Sequence, residues 1–224
     1  MNVSKLKKKV AWAVLDYIHP GDIVGIGTGT TIFYLIEALS TIKNVICGTV
    51  SSSDYSTNLL KKQGIRVFNL QNFNSVEIYI DSADEINRHM QMIKGGGAAL
   101  TREKIIAAMS KKFICIVDHT KIVDVLGKFP LPIEIIPTSL SYISKEIINI
   151  GGNPQHRKNI ITDNGNIIID VHNLCITDPI SMEKTINSFP GVVTVGLFAA
   201  RGADIVLVST TKGIKVIKNN FYKK

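Results

Sequence analysis

The first half of the chain alternates short apolar, β-branched runs with longer stretches in which apolar residues recur at helical spacing. This alternation is typical of parallel βαβ units with helices on both faces of a sheet. The pattern predicts a first helix near the N-terminus and further helices at residues 32–40, 53–63 and 101–110. It predicts strands at residues 22–26, 44–50, 65–69, 76–81 and 112–117.

The pattern changes near residue 128, where the segment FPLPIEIIP places three prolines close together. Beyond it we predict strands at 133–136, 159–162 and 166–171, helices at 139–150 and 179–188, and a final strand. This order is typical of a small α+β domain of the split βαβ kind. Residues 203–217 predict two more strands, joined at 211–213, that return to the first domain. We therefore expect an α/β fold with a parallel-sheet domain of residues 1–128 and 200–224 and a smaller α+β domain of residues 129–199.

The composition is that of an ordinary globular protein, with 224 residues of which 45% are hydrophobic and 20% charged. No apolar stretch approaches the roughly 18 residues that a membrane-spanning helix needs, and the N-terminal segment has no small-residue cleavage site. Cys47, Cys115 and Cys175 lie far apart in apolar runs typical of buried strands, which favours free thiols in a reducing compartment. We expect a soluble, cytoplasmic protein with no membrane partner.

The chain carries 26 Lys plus Arg against 18 Asp plus Glu, a formal net charge of +8. A positive field attracts nucleic acids and also small anionic substrates. Beyond residues 5–9 and the last residues the lysines are scattered, and no recognisable nucleic-acid-binding module accompanies them. We therefore expect no nucleic-acid partner, and a small anion remains the better candidate.

The first segment with candidate chemistry follows the first predicted strand and reads GIGTGTT, at residues 25–31. Ligands of open parallel sheets bind at the carboxyl ends of the strands. Glycines let the backbone approach a ligand, and the N–H groups of a helix start attract an anion. The spacing matches neither the dinucleotide fingerprint nor the Walker loop. The segment is either a tight turn without a ligand or a cradle for a phosphate or carboxylate.

The second segment, DSADE at residues 81–85, places three carboxylates directly after a buried strand. Clustered carboxylates repel each other, which raises the pKa of at least one and makes it a possible proton carrier. The alternatives are a solvated acidic turn and a metal site. His89 is not at metal-ligand spacing, so we expect no metal.

The third segment, KGGGAALTREK at residues 94–104, follows a lysine with three glycines. Bare backbone N–H groups beside a positive charge stabilise a developing oxyanion, although a glycine triplet can also be only a flexible loop. Glu103 lies near the start of the next helix, whose dipole lowers its pKa while burial and nearby carboxylates raise it. Together the three segments favour proton transfer next to a carbonyl on a small phosphorylated substrate.

Seven segments resemble, in order, those of the type A ribose-5-phosphate isomerases: GIGTGTT, the serines at 51–53, DSADE, KGGGAALTREK, DHTK at 118–121, TDNGN at 162–166 and PGVVTVGLF at 190–198. The resemblance spans nearly the whole chain, and KGGGAALTRE is its most specific element. It implies a Rossmann-like domain with a smaller ferredoxin-like domain, no cofactor, and a homodimer or tetramer, of which we expect the homodimer. It also implies the interconversion of D-ribose 5-phosphate and D-ribulose 5-phosphate through an enediolate, in the non-oxidative branch of the pentose phosphate pathway.

The resemblance implies a role for each matching residue. Glu103 is the base that moves a proton between C1 and C2, and Asp81 and Asp84 handle hydroxyl protons. Lys94 steadies the enediolate. The backbone amides of Gly95, Gly96 and Gly97 assist Lys94. The residues that hold the substrate are Thr28, Gly29, Thr30, Thr31 and Lys121.

Two positions depart from the usual pattern of the family: Thr30 stands where serine is common, and Ser82 where glycine is usual. Thr30 keeps a hydroxyl donor, so little consequence is expected. Ser82 is unfavourable if its backbone needs a positive φ.

Functions of two other classes remain alternatives. A sugar-phosphate-sensing module keeps the phosphate cradle and needs no base, but it usually carries a DNA-binding helical module, for which the first twenty residues are too short. An enzyme of similar architecture that transfers acyl-CoA would use Glu103 as a nucleophile and needs a larger pocket, and amino-sugar deamination is a further possibility. We expect the isomerase.

Overall fold

A computed structural model of the chain describes residues 2–218. These residues form two compact units, of which unit 1 contains residues 2–83, 102–121 and 203–218. Unit 2 contains Asp84–Thr101 and Ile122–Gly202. The division differs from the predicted domain boundaries, because residues 84–101, 122–128 and 200–202 belong to unit 2. Two strands within 84–101 pair with each other, and one of them pairs with a strand near residue 197. Residues 84–101 therefore belong to unit 2.

The described residues contain six α-helices, and local capping explains several of their starts. Ser53 accepts a hydrogen bond from the amide of Ser56 at the start of the third helix, and Asp178 caps the sixth, which has a proline at its first position. The helices are α1 (Val3–Ala13), α2 (Thr30–Leu39), α3 (Asp54–Lys62), α4 (Leu100–Met109), α5 (Leu140–Asn149) and α6 (Pro179–Asn187).

Thirteen strands lie within the same part of the chain. They are β1 (Ile23–Ile26), β2 (Gly48–Ser51), β3 (Val76–Asp81), β4 (Glu85–Ile86), β5 (Met92–Ile93), β6 (Ser110–Asp118), β7 (Leu131–Ile135), β8 (Asn153–His156), β9 (Ile167–His172), β10 (Val192–Val195), β11 (Leu197–Phe198), β12 (Ile205–Thr210) and β13 (Gly213–Lys218).

Unit 1 is built on a six-stranded sheet in the order β13-β12-β6-β3-β1-β2, in which only β13 runs antiparallel. Apolar residues of β1 and β3 pack with α1 and α2 in one core. The chain runs from β1 to β2 on one side and then to β3 on the other side of β1. The order therefore reverses between β1 and β3, which is where open α/β sheets bind ligands. The predicted parallel-sheet architecture is confirmed.

Unit 2 contains a four-stranded antiparallel sheet in the order β10-β7-β9-β8 and a small sheet in the order β11-β5-β4. The sequence of elements β7-α5-β8-β9-α6-β10 is that of the split βαβ unit, so the smaller domain is ferredoxin-like as expected. Isoleucines of β7 and β9 pack with α5 and α6 in a separate core.

Two predicted strands are wrong. Residues 65–69 make one isolated bridge, between Val67 and Thr49, instead of a strand. Residues 159–162 form no strand: Asn159 lies in a turn with a φ of 62°, residues 160–162 are irregular, and the strand lies earlier, at β8. The cysteines also differ from expectation: all three are free, but only Cys115 is buried in a strand, whereas Cys47 and Cys175 are exposed. In residues 2–218 no helix combines the length and apolar character needed to cross a membrane.

Candidate active site

The GIGTGTT segment and Asp81 meet at the point where the strand order of unit 1 reverses. Asp81 is the last residue of β3 and is fully buried. Its Oδ1 accepts hydrogen bonds from the amides of Ser82 at 2.7 Å and Thr28 at 3.3 Å. A Cβ on Gly27 would lie 1.9 Å from the Asp81 carboxyl carbon. Gly27 is therefore needed to make room for the carboxylate.

Tyr79 is a buried partner of Asp81 that the sequence analysis missed. Its hydroxyl donates a hydrogen bond to Asp81 Oδ2. Burial, followed by the negative charges of Asp81 and Glu103, raises the pKa of Tyr79 well above its usual value. The phenol consequently stays protonated and keeps donating. The signal lay in the YID triplet, because residues two apart on a strand share a face.

Glu103 lies in the first turn of α4, and its side chain is 2% exposed. Helix α4 packs directly on β1, since a Cβ on Gly25 would lie 2.7 Å from Ile106 and 3.0 Å from the Tyr79 ring. The negative charge of Glu103 acts on the Tyr79 hydroxyl. Unit 1 therefore places the charges of Glu103 and Asp81 near the same buried phenol, and Gly25 and Gly27 leave the room that this packing needs.

The predicted cradle residues follow β1 and open α2. Gly29 has a φ of +128° and gives α2 no side-chain cap. Thr31 is buried at 5% exposure. Thr30 is exposed and accepts a hydrogen bond from Lys7 Nζ at 2.7 Å, a lysine that the sequence analysis did not single out. The start of α2 thus presents backbone amides beside an ammonium group, as an anion site requires.

The serine segment holds Thr28 in place. The Thr28 hydroxyl lies 2.8 Å from Ser52 Oγ and donates to Ser53 Oγ at 2.7 Å. Ser56 donates to the carbonyl of Gly27 at 2.8 Å. These bonds link the ends of β1 and β2 and the start of α3, so the serines fix the shape of the loop after β1.

Lys121 comes from the DHTK segment, which follows the neighbouring strand β6. Asp118 ends β6, and its Oδ1 accepts hydrogen bonds from the amide of Thr120 at 3.0 Å and from its hydroxyl. This side-chain turn shapes the short 3-10 segment His119–Lys121, in which Lys121 is half-buried. Asp118 therefore sets the direction in which the chain leaves β6.

In unit 2, Lys94 follows β5 and is 2% exposed. Its amide donates to the carbonyl of Gly196 at 2.9 Å, and its Nζ lies 5.4 Å from the centre of the Phe198 ring. An ammonium over an aromatic face is stabilised electrostatically. A Cβ on Gly196 would lie 2.3 Å from the Lys94 carbonyl. The VGLF part of the PGVVTVGLF segment is therefore the platform of Lys94.

The glycine loop of unit 2, residues 95–99, makes hydrogen bonds on both sides. Asp84 Oδ2 accepts the amide of Gly96 at 2.8 Å. Arg157, which the sequence analysis missed, donates to the carbonyls of Gly95 at 3.1 Å and Gly96 at 3.2 Å. Gly96 and Gly97 are exposed, whereas Gly95 is buried. One of the three amides expected to face the substrate thus already binds Asp84.

The TDNGN segment surrounds Glu134, a fully buried carboxylate on β7. Glu134 accepts hydrogen bonds from Thr162, Asn164 and Asn166 at 2.8 to 3.1 Å. It also accepts a hydrogen bond at 2.5 Å from the hydroxyl of Thr101, which follows the glycine loop along the chain. This family segment therefore anchors one end of the loop in unit 2.

The twelve predicted site residues divide between the two units. Unit 1 contains Thr28, Gly29, Thr30, Thr31, Asp81, Glu103 and Lys121, and unit 2 contains Asp84, Lys94, Gly95, Gly96 and Gly97. Ser82 does not have a positive φ, so the departure from glycine carries no backbone strain. Among residues 2–218, no three His, Cys, Asp or Glu side chains are grouped as a metal site would require.

Comparisons with known proteins identify the family of this chain. The family model of ribose 5-phosphate isomerase A (phosphoriboisomerase A) matches residues 48–213. A ribose-5-phosphate isomerase A of Buchnera aphidicola subsp. Acyrthosiphon pisum (strain Tuc7) is 75% identical over 217 residues, 97% of each chain.

Two solved structures extend the comparison to the fold. The ribose 5 phosphate isomerase A from Neisseria gonorrhoeae is 42% identical with a TM-score of 0.95, over 97% of this chain and 98% of that chain. A D-ribose-5-phosphate isomerase in complex with phospho-erythronic acid is 37% identical with a TM-score of 0.92, over 97% and 100%. The resemblance of the motifs is confirmed, and the sensor alternative is not favoured. This chain belongs to the ribose 5-phosphate isomerase A family, whose enzymes interconvert ribose 5-phosphate and ribulose 5-phosphate.

Proposed function

We propose that Glu103 is the base that carries the proton between C2 and C1 of the sugar phosphate. The observation that carries this proposal is the burial of Glu103 in the first turn of α4. Its negative charge acts on the phenol of Tyr79, which also binds Asp81. A carboxylate removed from water is positioned and pre-organised for proton transfer. Asp81, held by two amides and a phenol, is the fixed acceptor of hydroxyl protons in this proposal.

The proposed reaction begins with opening of the furanose ring. Asp81 or Asp84 takes the proton of the C1 hydroxyl and delivers it to the ring oxygen as the bond between C1 and that oxygen breaks, which yields the open-chain aldehyde. The Glu103 carboxylate then removes the proton from C2, and the electron pair moves to give a cis-enediolate. The proton of the C2 hydroxyl passes to the C1 oxygen through Asp81 or Asp84, and Glu103, now protonated, returns its own proton to C1. C2 thereby becomes the ketone carbon, and no proton is gained or lost over the cycle.

The negative charge of the enediolate is neutralised by Lys94 and by amides of Gly95, Gly96 and Gly97. Lys94 is buried over an aromatic ring, where its charge is little screened by water. Pre-organised donors of this kind are typically the largest single contribution to such catalysis. A relative of this chain has been solved in complex with phospho-erythronic acid, which supports a small phosphorylated acid as a ligand of this site.

The phosphate and sugar hydroxyls are assigned to the second group of residues. Gly29, Thr30 and Thr31 offer backbone amides and hydroxyls at the start of α2. Thr28 and Lys121 complete the set. The helix start favours a dianionic group, so the phosphate is the part of the substrate that suits it best.

We further propose a cytoplasmic homodimer that needs neither cofactor nor metal. The three free cysteines support a reducing compartment, and the family resemblance supports the dimer. Light scattering of the purified protein decides between the dimer and the tetramer. If no metal is needed, the enzyme should keep full turnover after exhaustive chelation.

The experiment follows ribose 5-phosphate by proton NMR in deuterated water, with wild type, Glu103→Gln and the matched control Glu77→Gln. Glu77 is an exposed carboxylate that binds Lys111 on the surface of unit 1. General base catalysis typically contributes about 10²–10⁴-fold, so Glu103→Gln loses at least that factor in kcat and retains substrate binding. The control keeps the wild-type rate. Turnover by Glu103→Gln at the rate of the control would assign the base elsewhere.

A further inference from the structure

We propose that Arg157 is a positioning residue of this reaction, which fixes the direction in which the amides of the glycine loop face. The inference rests on the proposed role of those amides in stabilising the enediolate. Arg157 itself does not need to touch the substrate.

Arg157 holds the loop through a guanidinium that is itself fixed. Its Nε and Nη2 donate to the two carboxylate oxygens of Asp170 at 2.7 and 2.5 Å. Its Nη1 donates to the carbonyls of Gly95 and Gly96. Arg157 follows β8 and Asp170 lies on the paired strand β9, so a regular sheet supports the pair. Both side chains are 19% exposed.

These two carbonyl contacts determine where the amides point. A trans peptide is planar, with its C=O and N–H on opposite sides, and no described peptide of this chain is cis. The carbonyl of Gly95 faces Arg157, so the amide of Gly96 faces away from it and reaches Asp84. The carbonyl of Gly96 also faces Arg157, which turns the amide of Gly97 away. Within residues 2–218 nothing accepts a hydrogen bond from the Gly97 amide. Arg157 thereby leaves the amide of the exposed Gly97 as a donor that points away from the guanidinium.

The loop needs such a tie because of its glycines. Glycine adopts positive and negative φ about equally readily, so a peptide between two glycines can rotate and exchange its N–H for its C=O. A rotated peptide at Gly96 and Gly97 would present a carbonyl oxygen to the anion and repel it. A side chain at Gly96 would displace the carboxylate that binds its amide, since a Cβ there would lie 2.8 Å from Asp84 Oδ1. The peptide between Gly95 and Gly96 is also held by Asp84 and by the Ala98 amide, which donates to the Gly95 carbonyl at 3.0 Å. The peptide between Gly96 and Gly97 is held by Arg157.

Arginine suits this task in a way that lysine does not. Its planar fork binds a carboxylate with two parallel bonds and still has a donor left for the loop, whereas an ammonium is a point charge without a fixed plane. The fold itself has less need of these contacts, because the carbonyl of the exposed Gly96 can be hydrated and the carbonyl of Gly95 also accepts a hydrogen bond from the Ala98 amide at 3.0 Å. The structure thus favours a role in the reaction over a purely structural one.

The test is Arg157→Lys, with Arg88→Lys as the matched control. Arg88 is an exposed arginine of unit 2 that bonds only locally, to His89. Misplacing an oxyanion donor costs about 10–10²-fold in kcat, and KM should change far less, because the lost interaction is made in the transition state. Binding of phospho-erythronic acid should weaken in step with kcat/KM, while inhibition by inorganic phosphate stays unchanged. The control should match wild type throughout.

A second variant, Asp170→Asn, keeps Arg157 but removes its charged partner, and it should show a smaller fall in kcat with the same pattern. It also carries the test if Arg157→Lys fails to fold. Wild-type kcat in a folded variant, a loss confined to KM, or unchanged affinity for phospho-erythronic acid would each overturn the proposal. Glu103→Gln tests the proposed function separately from the role of Arg157. If Glu103→Gln is inactive and Arg157→Lys is fully active, the proposed base stands and only the positioning role of Arg157 is refuted.

Discussion

Gly27→Ala tests whether the room beside β1 is what allows Asp81 to lie where the strand order reverses. The new Cβ would lie 1.9 Å from Asp81 Cγ and Oδ1 and 2.4 Å from Oδ2. Non-bonded carbon contacts settle near about 3.5 Å, so the carboxylate must retreat by roughly 1.5 Å. The backbone of β3 is held on both sides by β1 and β6, so the side chain has to make this movement.

The retreat breaks the bonds from the Thr28 and Ser82 amides and from the Tyr79 hydroxyl. A misplacement of about 1 Å can lower a rate by about 10²-fold, so kcat should fall by at least that factor. Hydrogen bonds to a charged group contribute about 1.5–3 kcal/mol each. With partial relaxation, the free energy of unfolding should fall by about 3 kcal/mol.

The assay measures initial rates of ribulose 5-phosphate formation, together with unfolding in urea. Gly21→Ala is the matched control, because Gly21 has a φ of +84° and no atom within 4 Å of an added Cβ. It should lose about 1–2 kcal/mol from backbone strain and keep its kcat. A folded Gly27→Ala enzyme with the kcat of this control would refute the reasoning that Gly27 makes room for Asp81.

Two further predictions concern buried polar groups. Tyr79→Phe removes a donor to Asp81 and should lower the free energy of unfolding by about 2 kcal/mol near neutral pH. Folding raises the pKa of Tyr79, so above about pH 10 the unfolded chain loses the phenol proton before the folded protein does. The free energy of unfolding of the wild type therefore falls, and the gap between the wild-type and Tyr79→Phe values narrows. Urea unfolding across that range would contradict the prediction if the gap stayed constant. Glu134→Gln turns an amide N–H₂ toward the hydroxyl and amide donors around it and should lower the free energy of unfolding by about 2–4 kcal/mol, against no change for Glu77→Gln.

Sequence reasoning succeeded where the determining signal is local. Strands β1, β3 and β6 each have a short apolar run and a chemically distinctive end, so both the strand and the candidate site residues that follow it could be located along the chain. Strands β4 and β5 have two residues each, which is too short for a periodic pattern. Residues 65–69 have strand composition but no continuous partner, and composition alone does not report pairing.

The amino-acid sequence by itself determined the parallel sheet, the ferredoxin-like order, the family and the motif residues, because periodicity and motif spacing are written along the chain. It did not reveal Tyr79 as a partner of Asp81, Gly27 as its space, or Arg157 and Glu134 as anchors of the glycine loop. Thr28 and Asp81 are 53 positions apart, and Arg157 and Gly95 are 62 apart. Only the tertiary structure decides such contacts, since burial and hydrogen bonding depend on which strand ends meet in space, and that is set by sheet order and register.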